Sequence, residues 1–462
     1  MKRQISIGLM IFVMLVVTPS LALGAQFNEA GLLSSAFTPS VASAPWFISE
    51  VDTLGDTGQH TSVVIDPSSG WTYVSYYDTT NQDLRLGYFG ESFAGICGPN
   101  DSWGCWTIDS GADFGKYSSI AINPLTGGVG IAYHDATNGK LKYVYFPHPE
   151  LNSYLKQTID IGIYPISSTG LYTSLKFNDY GKPFIAYHFD NPTGVDALML
   201  SYYSVTGGNC PHPDSADSWR CETIITGEGV GQYASLALDE DGEQHIAYYD
   251  GANGDLWYAT SASGTNCGPG NNWTCYPVTG STTDAGKYAS MYVDDGGHFH
   301  IAYYDATNDT LNYAVDVGSG GNCGVLGSAQ CDEIDSMQAD YHPLGISIVE
   351  DTAGYPIIAY QSFNGDLNVA RPAAAVGLSG GGGNCGPETP FPTWYCETID
   401  RHGTWVDFRN GDYVSIALGP FGIATIAYYR LFFPDSTPPE GNLNVATQLL
   451  QKIFLPLTMR EG

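Results

Sequence analysis

Positive charge is scarce in this chain. Lys and Arg number 17 against 48 Asp and Glu over 462 residues, a formal net charge of −31. No basic cluster interrupts that field, so phosphate backbones and anionic lipid surfaces are repelled, and nucleic acid is excluded as a partner. Long apolar runs are scarce too. The one run, Ile5 to Val17, falls short of the roughly 20 residues a spanning helix needs, so membrane insertion is not expected. It follows Met1-Lys2-Arg3 and leads to Ala22-Leu23-Gly24, the three-part layout of a secretory signal. Residues 1–24 are read as that signal, and a secreted, extracellular or cell-surface protein is expected. Acidic loops of the Asp-x-Asp-x-Asp-Gly type are missing, so calcium finds no support, and neither metal nor cofactor is expected. The 56 Gly and 32 Tyr point to turn-rich β structure with almost no long helix.

One unit recurs along the chain. It reads Gly231-Gln-Tyr-Ala-Ser-Leu-Ala-Leu, an acidic Gly turn, His245-Ile-Ala-Tyr-Tyr-Asp250, then Asn253-Gly-Asp-Leu-Trp-Tyr-Ala259. Seven copies are marked by Ser62, Ser119, Ser174, Ser235, Ser290, Ser347 and Ser415, spaced 55 to 68 residues apart. Short Tyr/Ile/Val/Leu runs broken by Gly, Asn and Asp give four strands per unit, A to D. Four-stranded antiparallel units favour radial closure over a linear solenoid, because closure leaves only short, protected edges. The fold expected is all-β, a seven-bladed β-propeller over residues 45–446, after a linker at 25–44 and before a tail at 447–462. Trp46-Phe-Ile-Ser-Glu-Val51 resembles a strand D, while the last repeat stops after strand C. The N-terminal strand should therefore complete the last blade.

All ten cysteines fall as local pairs between strands C and D: Cys97 with Cys105, Cys210 with Cys221, Cys267 with Cys275, Cys323 with Cys331, and Cys385 with Cys396. A pair recurring at one place in five repeats makes hairpin disulfides the expected connectivity, in an oxidising compartment. Zinc is disfavoured, because no histidines stand at the usual spacing.

Two tiers of side chains should crowd one rim of the central channel, here called the top face. Strand A begins there with His60, Tyr117, Tyr172, Tyr233, Tyr288 and Tyr413, and with Gly345 in the sixth repeat. Strand B contributes Tyr77, His134, His188, Tyr249, Tyr304, Gln361 and Tyr429. Tyrosines repeated at fixed blade positions commonly serve packing. Departures from the repeat are more informative. His60, His134 and His188 replace tyrosines, Arg430 replaces a turn Asp, and the loop before Tyr413 adds Arg401, His402, Trp405 and Arg409. Arginines placed so, with aromatic rings beside them, suit an anionic or polyhydroxylated ligand.

The motifs Tyr-x-Ser-Leu-Ala-Leu-Asp-x-x-Gly and His-Ile-Ala-Tyr-Tyr-Asp, across positions 58 to 446, resemble secreted bacterial propellers of the broad sialidase-like, bacterial-neuraminidase-repeat class. That resemblance implies carbohydrate-facing biology. The chain departs from true sialidases in lacking Ser-x-Asp-x-Gly-x-Thr-Trp boxes and an arginine triad. The leading expectation is a binding module, acting as a monomer, that recognises a glycan or another surface polymer through its top face. The alternative is a polysaccharide lyase on a uronate-containing glycan, with His60, His134 or His188 and Tyr117 or Tyr172 as acid and base and Arg430 neutralising the carboxylate. A structural or adhesion scaffold is the third reading.

Overall fold

The computed structural model describes residues 45–449, apart from 91–95, 99–100, 148–152, 163–165, 213–217, 281–282, 338–344, 379–381, 387–392, 402–407 and 433–439. The expected signal and linker, through residue 44, and residues 450–462 of the tail lie outside the described residues.

The strands form seven four-stranded antiparallel sheets, a seven-bladed β-propeller. Blade 1 is typical, with strand A at Thr57–Ile65, B at Thr72–Asp78, C at Asp83–Phe89 and D at Gly104–Asp109. Blade 7 is assembled from both ends of the sequence. Its strands Phe408–Leu418, Ala424–Phe432 and Glu440–Gln448 are completed by Trp46–Asp52, which pairs from Trp46 opposite Gln448 to Asp52 opposite Leu443. The last strand thus runs two residues beyond the expected end at 446.

Burial follows from alternation within the blades. Strand B is sandwiched on both faces, and in blade 2 every residue of Val129–Asp135 is buried. Apolar side chains collect between neighbouring blades. Leu84, Leu86, Ile131 and Val144 fill the space between blades 1 and 2, and Val63, Val74, Ala427 and Leu443 fill the one between blades 7 and 1. Burial at roughly 1.5–3 kcal/mol per fully enclosed large side chain makes these interfaces the main source of stability.

Polar groups tie the same interfaces in a fixed direction. The seven repeat serines each accept a hydrogen bond from a backbone N–H of strand A in the following blade, from Ile120 N–H to Ser62 Oγ at 3.2 Å round to Val63 N–H to Ser415 Oγ at 3.0 Å. Inner-strand edges that would otherwise be unpaired are satisfied in this way. At five interfaces a strand B tyrosine donates to an aspartate at the end of strand D of the preceding blade, or in blade 5 one residue before it, each at 2.7 Å: Tyr76 to Asp52, Tyr133 to Asp109, Tyr187 to Asp160, Tyr360 to Asp335 and Tyr428 to Asp400.

The five expected disulfides are present, each closing its own C-to-D hairpin. The Cys97–Cys105 hairpin packs with Trp103 against Val51 and Leu443 of blade 7, so it joins blades as well as strands. In four hairpins the Asn before the first Cys clamps the second. Asn266 Oδ1, for example, accepts from Cys275 N–H at 2.8 Å while its Nδ2 donates to Cys275 O at 2.9 Å. Five disulfides suit an oxidising, extracellular environment. Among the described residues no helix is long and apolar enough to cross a membrane.

Candidate functional site

The site begins with a backbone peculiarity of strand A. In six blades this strand carries two left-handed residues, a glycine and, two positions on, an aromatic: Gly58 and His60, Gly115 and Tyr117, Gly170 and Tyr172, Gly231 and Tyr233, Gly286 and Tyr288, Gly411 and Tyr413. The pairing with strand B slips at both points. At Gly115 the glycine is required twice over, since φ is +108° and a Cβ would sit 2.8 Å from Leu84 Cα of the preceding blade. That close approach lowers strand A onto its neighbour. The second bulge then turns the aromatic side chain into the channel.

The six aromatics hold φ between 51° and 55°. Left-handed backbone costs a non-glycine residue about 1–2 kcal/mol, and strain retained at equivalent positions in six blades marks a site that the surrounding structure holds in place. This yields a direct test. In an ordinary strand Gly is worse than Ala by about 0.5–1 kcal/mol. At this position the order reverses, so Tyr233→Gly is expected to be more stable than Tyr233→Ala by about 1 kcal/mol in urea unfolding. An Ala variant as stable as the Gly variant would show that the backbone is not held left-handed there.

The side chains form an arc round an open cavity of about 200 Å³, lined by His60, Tyr117, Tyr172, Tyr233, Tyr288 and Tyr413 with the small residues that follow them. Neighbouring rings are tilted at centroid distances of 4.6–4.7 Å from Tyr413 through His60 to Tyr288. Gly345 stands where blade 6 would supply the seventh ring, so the arc has one gap. Thr61, Ser118 and Thr173 brace it by donating hydroxyls to the carbonyls of Tyr413, His60 and Tyr117.

The arc is uncharged near neutral pH. Burial, with the positive charge of Lys116 nearby, pushes His60 down to about 3. Burial raises Tyr413, beside the Asp412 carboxylate, and Tyr288 to about 12, and burial among neighbouring hydroxyls carries Tyr117, Tyr172 and Tyr233 further up. Lys116 and Lys287, one residue before Tyr117 and Tyr288, are each paired at 2.6 Å with Asp113 and Asp284. The cavity therefore offers hydroxyls, an imidazole and aromatic faces.

The second tier sits behind the first. Tyr77, His134, His188 and Tyr429 are buried between blades, with rings 6.1–6.2 Å from His60, Tyr117, Tyr172 and Tyr413 respectively. Tyr77 and Tyr429 donate to Asp113 and Asp56 at 2.8 Å. His134 and His188 place Nδ1 at 2.7 and 2.8 Å from the carbonyls of Thr169 and Val230 in the following blades. Burial lowers both histidines, with the carbonyl contact only partly compensating. Of the residues singled out from the sequence, the structure brings His60, Tyr117, Tyr172 and Tyr413 into one cavity, and His134, His188, Tyr77 and Tyr429 support them from outside it. Arg430 lies 3.9 Å from Glu50 of the N-terminal strand and does not line the cavity. Arg401 is exposed at the end of strand D of blade 6. His402, Trp405 and the Arg409 side chain lie outside the described residues. Tyr233 and Tyr288 are full members of the arc, and the recurring Gly-x-Tyr was their signal.

No protein-family model matches this chain, and no curated protein does. Among solved structures it is similar to the polysaccharide lyase Uly1, with 10% identity and a TM-score of 0.47 over 84% of this chain and 88% of that one. The Hadza microbial sialidase Hz136 is 13% identical, with a TM-score of 0.41 over 67% of this chain and 64% of that one. The SapL1 lectin, solved in complex with alpha methyl fucoside, is 11% identical, with a TM-score of 0.38 over 68% of this chain and 92% of that one. Likeness at this level is one of fold, and the chain is a seven-bladed β-propeller with distant resemblance to lyases, sialidases and lectins.

Proposed function

We propose that this protein is an extracellular binding propeller that takes a neutral sugar, the end residue of a glycan, into the arc of aromatics on its channel axis. The observation that carries the reading is the uncharged arc itself, strained into place in six blades. A pyranose presents C–H faces that stack on aromatic rings and hydroxyls that exchange hydrogen bonds with tyrosine hydroxyls and imidazole, and the arc supplies both. Its volume, about 200 Å³, is below the roughly 300–1,000 Å³ of sites that enclose larger ligands, which favours one terminal residue over an extended chain.

A lyase needs a base working near neutral pH and a cation to neutralise the uronate carboxylate. His60, held near 3, is too weak a base. The raised tyrosines give up their protons too reluctantly, and the nearby lysines are already paired with aspartates. The binding reading is therefore preferred. It is tested on a glycan array with the wild type and a Tyr172→Ala/Tyr233→Ala double variant, alongside an assay for unsaturated uronate products. Binding to neutral glycans is expected to weaken at least tenfold in the variant, about 1.4 kcal/mol. Unsaturated products that depend on His60 or Tyr117 would overturn this reading in favour of the lyase, and a wild type that binds no glycan would favour the scaffold.

A further inference from the structure

Blade 3 breaks a rule that four other blades keep. In blades 1, 2, 4 and 5 the aspartate ending strand B caps its own turn. Asp78, Asp135, Asp250 and Asp305 each accept from the side-chain amide of the Asn three residues on, at 2.8–2.9 Å, and from backbone N–H groups of the turn. In blade 3 strand B runs on past His188 through Phe189 to Asp190 before the chain turns. The longer turn is capped by other residues. Asp196 Oδ1 accepts from Asn191 N–H at 2.9 Å, Asp196 Oδ2 accepts from Gly229 N–H at 2.7 Å, and Asn191 Oδ1 takes the Thr193 N–H and hydroxyl. Asp190 is released from that duty, and among the described residues its carboxylate takes no hydrogen bond.

Beside it stands His188, only 4% exposed. Nδ1 is 2.8 Å from the Val230 carbonyl, a contact that requires this nitrogen to carry the proton, so the lone pair belongs to Nε2. A histidine whose other N–H is fixed by a backbone carbonyl is the usual arrangement of a metal-ligating imidazole. A ring nitrogen of His188 and carboxylate oxygens of Asp190 and Asp196 lie within 4.8 Å of one another. Ligand atoms round one zinc ion stand about 3–4 Å apart, so small side-chain rotations close the set.

We propose that His188, Asp190 and Asp196 form a site for a divalent transition-metal ion of the zinc type. One imidazole and two carboxylates are too few oxygens for calcium, which takes about 6–8, and they match the three-ligand pattern that leaves coordination positions open. Val230 O fixes the imidazole, and the N–H groups of Asn191 and Gly229 fix Asp196, so the supporting contacts are already made. The His188 and Tyr172 rings are 6.1 Å apart, which puts the ion beside the aromatic arc. The site rests on its own geometry and is independent of the sugar-binding reading.

Equilibrium dialysis of the full chain, stripped of metal and equilibrated with Zn²⁺, tests it. Asp190→Asn is the decisive variant because the carboxylate supports no turn, and a melting curve matching the wild type confirms its fold. The wild type is expected to retain a zinc ion that Asp190→Asn binds at least tenfold more weakly. Asp294→Asn, in the separate His298/His300 cluster of blade 5, should leave that difference unchanged. Absence of bound zinc in the wild type, or equal retention by wild type and Asp190→Asn, overturns the proposal.

Discussion

A chain that begins at Thr53 is expected to lose its cooperative thermal transition. Removing Trp46–Asp52 strips blade 7 of its outer strand and leaves Glu440–Gln448 as an exposed edge. It also empties the joint between blades 7 and 1. Val51 is fully buried there, and Asp52 receives the Tyr76 hydroxyl at 2.7 Å and the Arg85 guanidinium at 3.0 Å. Losing Val51 alone costs about 1.5–3 kcal/mol of burial. Removing Asp52 also takes from Arg85 one of its two buried carboxylates, leaving it Asp78 at 3.3 Å, and deprives the buried Tyr76 hydroxyl of its acceptor, which adds about 1–3 kcal/mol. Together these approach the lower end of the roughly 5–15 kcal/mol that stabilises a typical domain. Calorimetry on the truncated chain is the measurement, and a melting curve unchanged from the full chain would remove the strand from its closing role.

The buried Tyr–Asp pairs divide into two electrostatic kinds, and their Asn variants should move stability in opposite directions. Burial pushes the Asp109 carboxyl up, but hydrogen bonds from Lys142, Lys156 and Tyr133 outweigh it and hold Asp109 below the usual range. Among the described residues no lysine or arginine pairs with Asp160 or Asp335, and burial leaves both raised despite the Tyr187 and Tyr360 hydroxyls. The unfolded carboxyl titrates near about 3.9. Asp109 therefore contributes stability that is present above that pH and fades as pH falls through its lowered value. Asp160 contributes below that pH and loses the contribution as pH rises through its raised value, so its ionised form is a burden at neutrality. Asp109→Asn is expected to destabilise by about 2–4 kcal/mol at pH 7, since it leaves Lys142 and Lys156 without their anion. Asp160→Asn is expected to be neutral or stabilising at pH 7. Urea midpoints measured from pH 3 to 7 read both effects, and parallel pH profiles for the two variants would contradict the distinction.

Much of the architecture was legible in the sequence because it repeats. Seven serines at near-constant spacing, a strand D with no strand before it at Trp46 and cysteines in local pairs are patterns that survive without coordinates. The arc was half legible. Gly-x-aromatic recurs in plain view at Gly115 and Tyr117, but the left-handed φ that sends Tyr117 into the channel is a property of backbone packed on Leu84, and that contact spans two blades. His134 and His188 stand out in the sequence as departures from the repeat, yet their position depends on which neighbouring carbonyl lies within reach. Those carbonyls, of Thr169 and Val230, come from the next blade. Arg430 illustrates the longest reach, because Glu50 belongs to the opposite end of the chain. The release of Asp190 was hidden for a different reason. It follows from a slightly longer hairpin, and the spare carboxylate is recognised only by comparison with the capped turns of the other blades.

The ring of serine contacts carries a further consequence. Every one of the seven runs from the N–H of one blade to the hydroxyl of the blade before it, and the contact across the blade 7 to blade 1 joint, Val63 to Ser415, is the same as the rest. Pro45 O accepts from Leu449 N–H at 2.8 Å, so the described chain ends where it begins. Along the channel wall the protein is a circle with no seam. The place where its backbone is cut is topologically arbitrary, and the same walls would stand in a circular permutant whose ends were moved to the connection between two other blades.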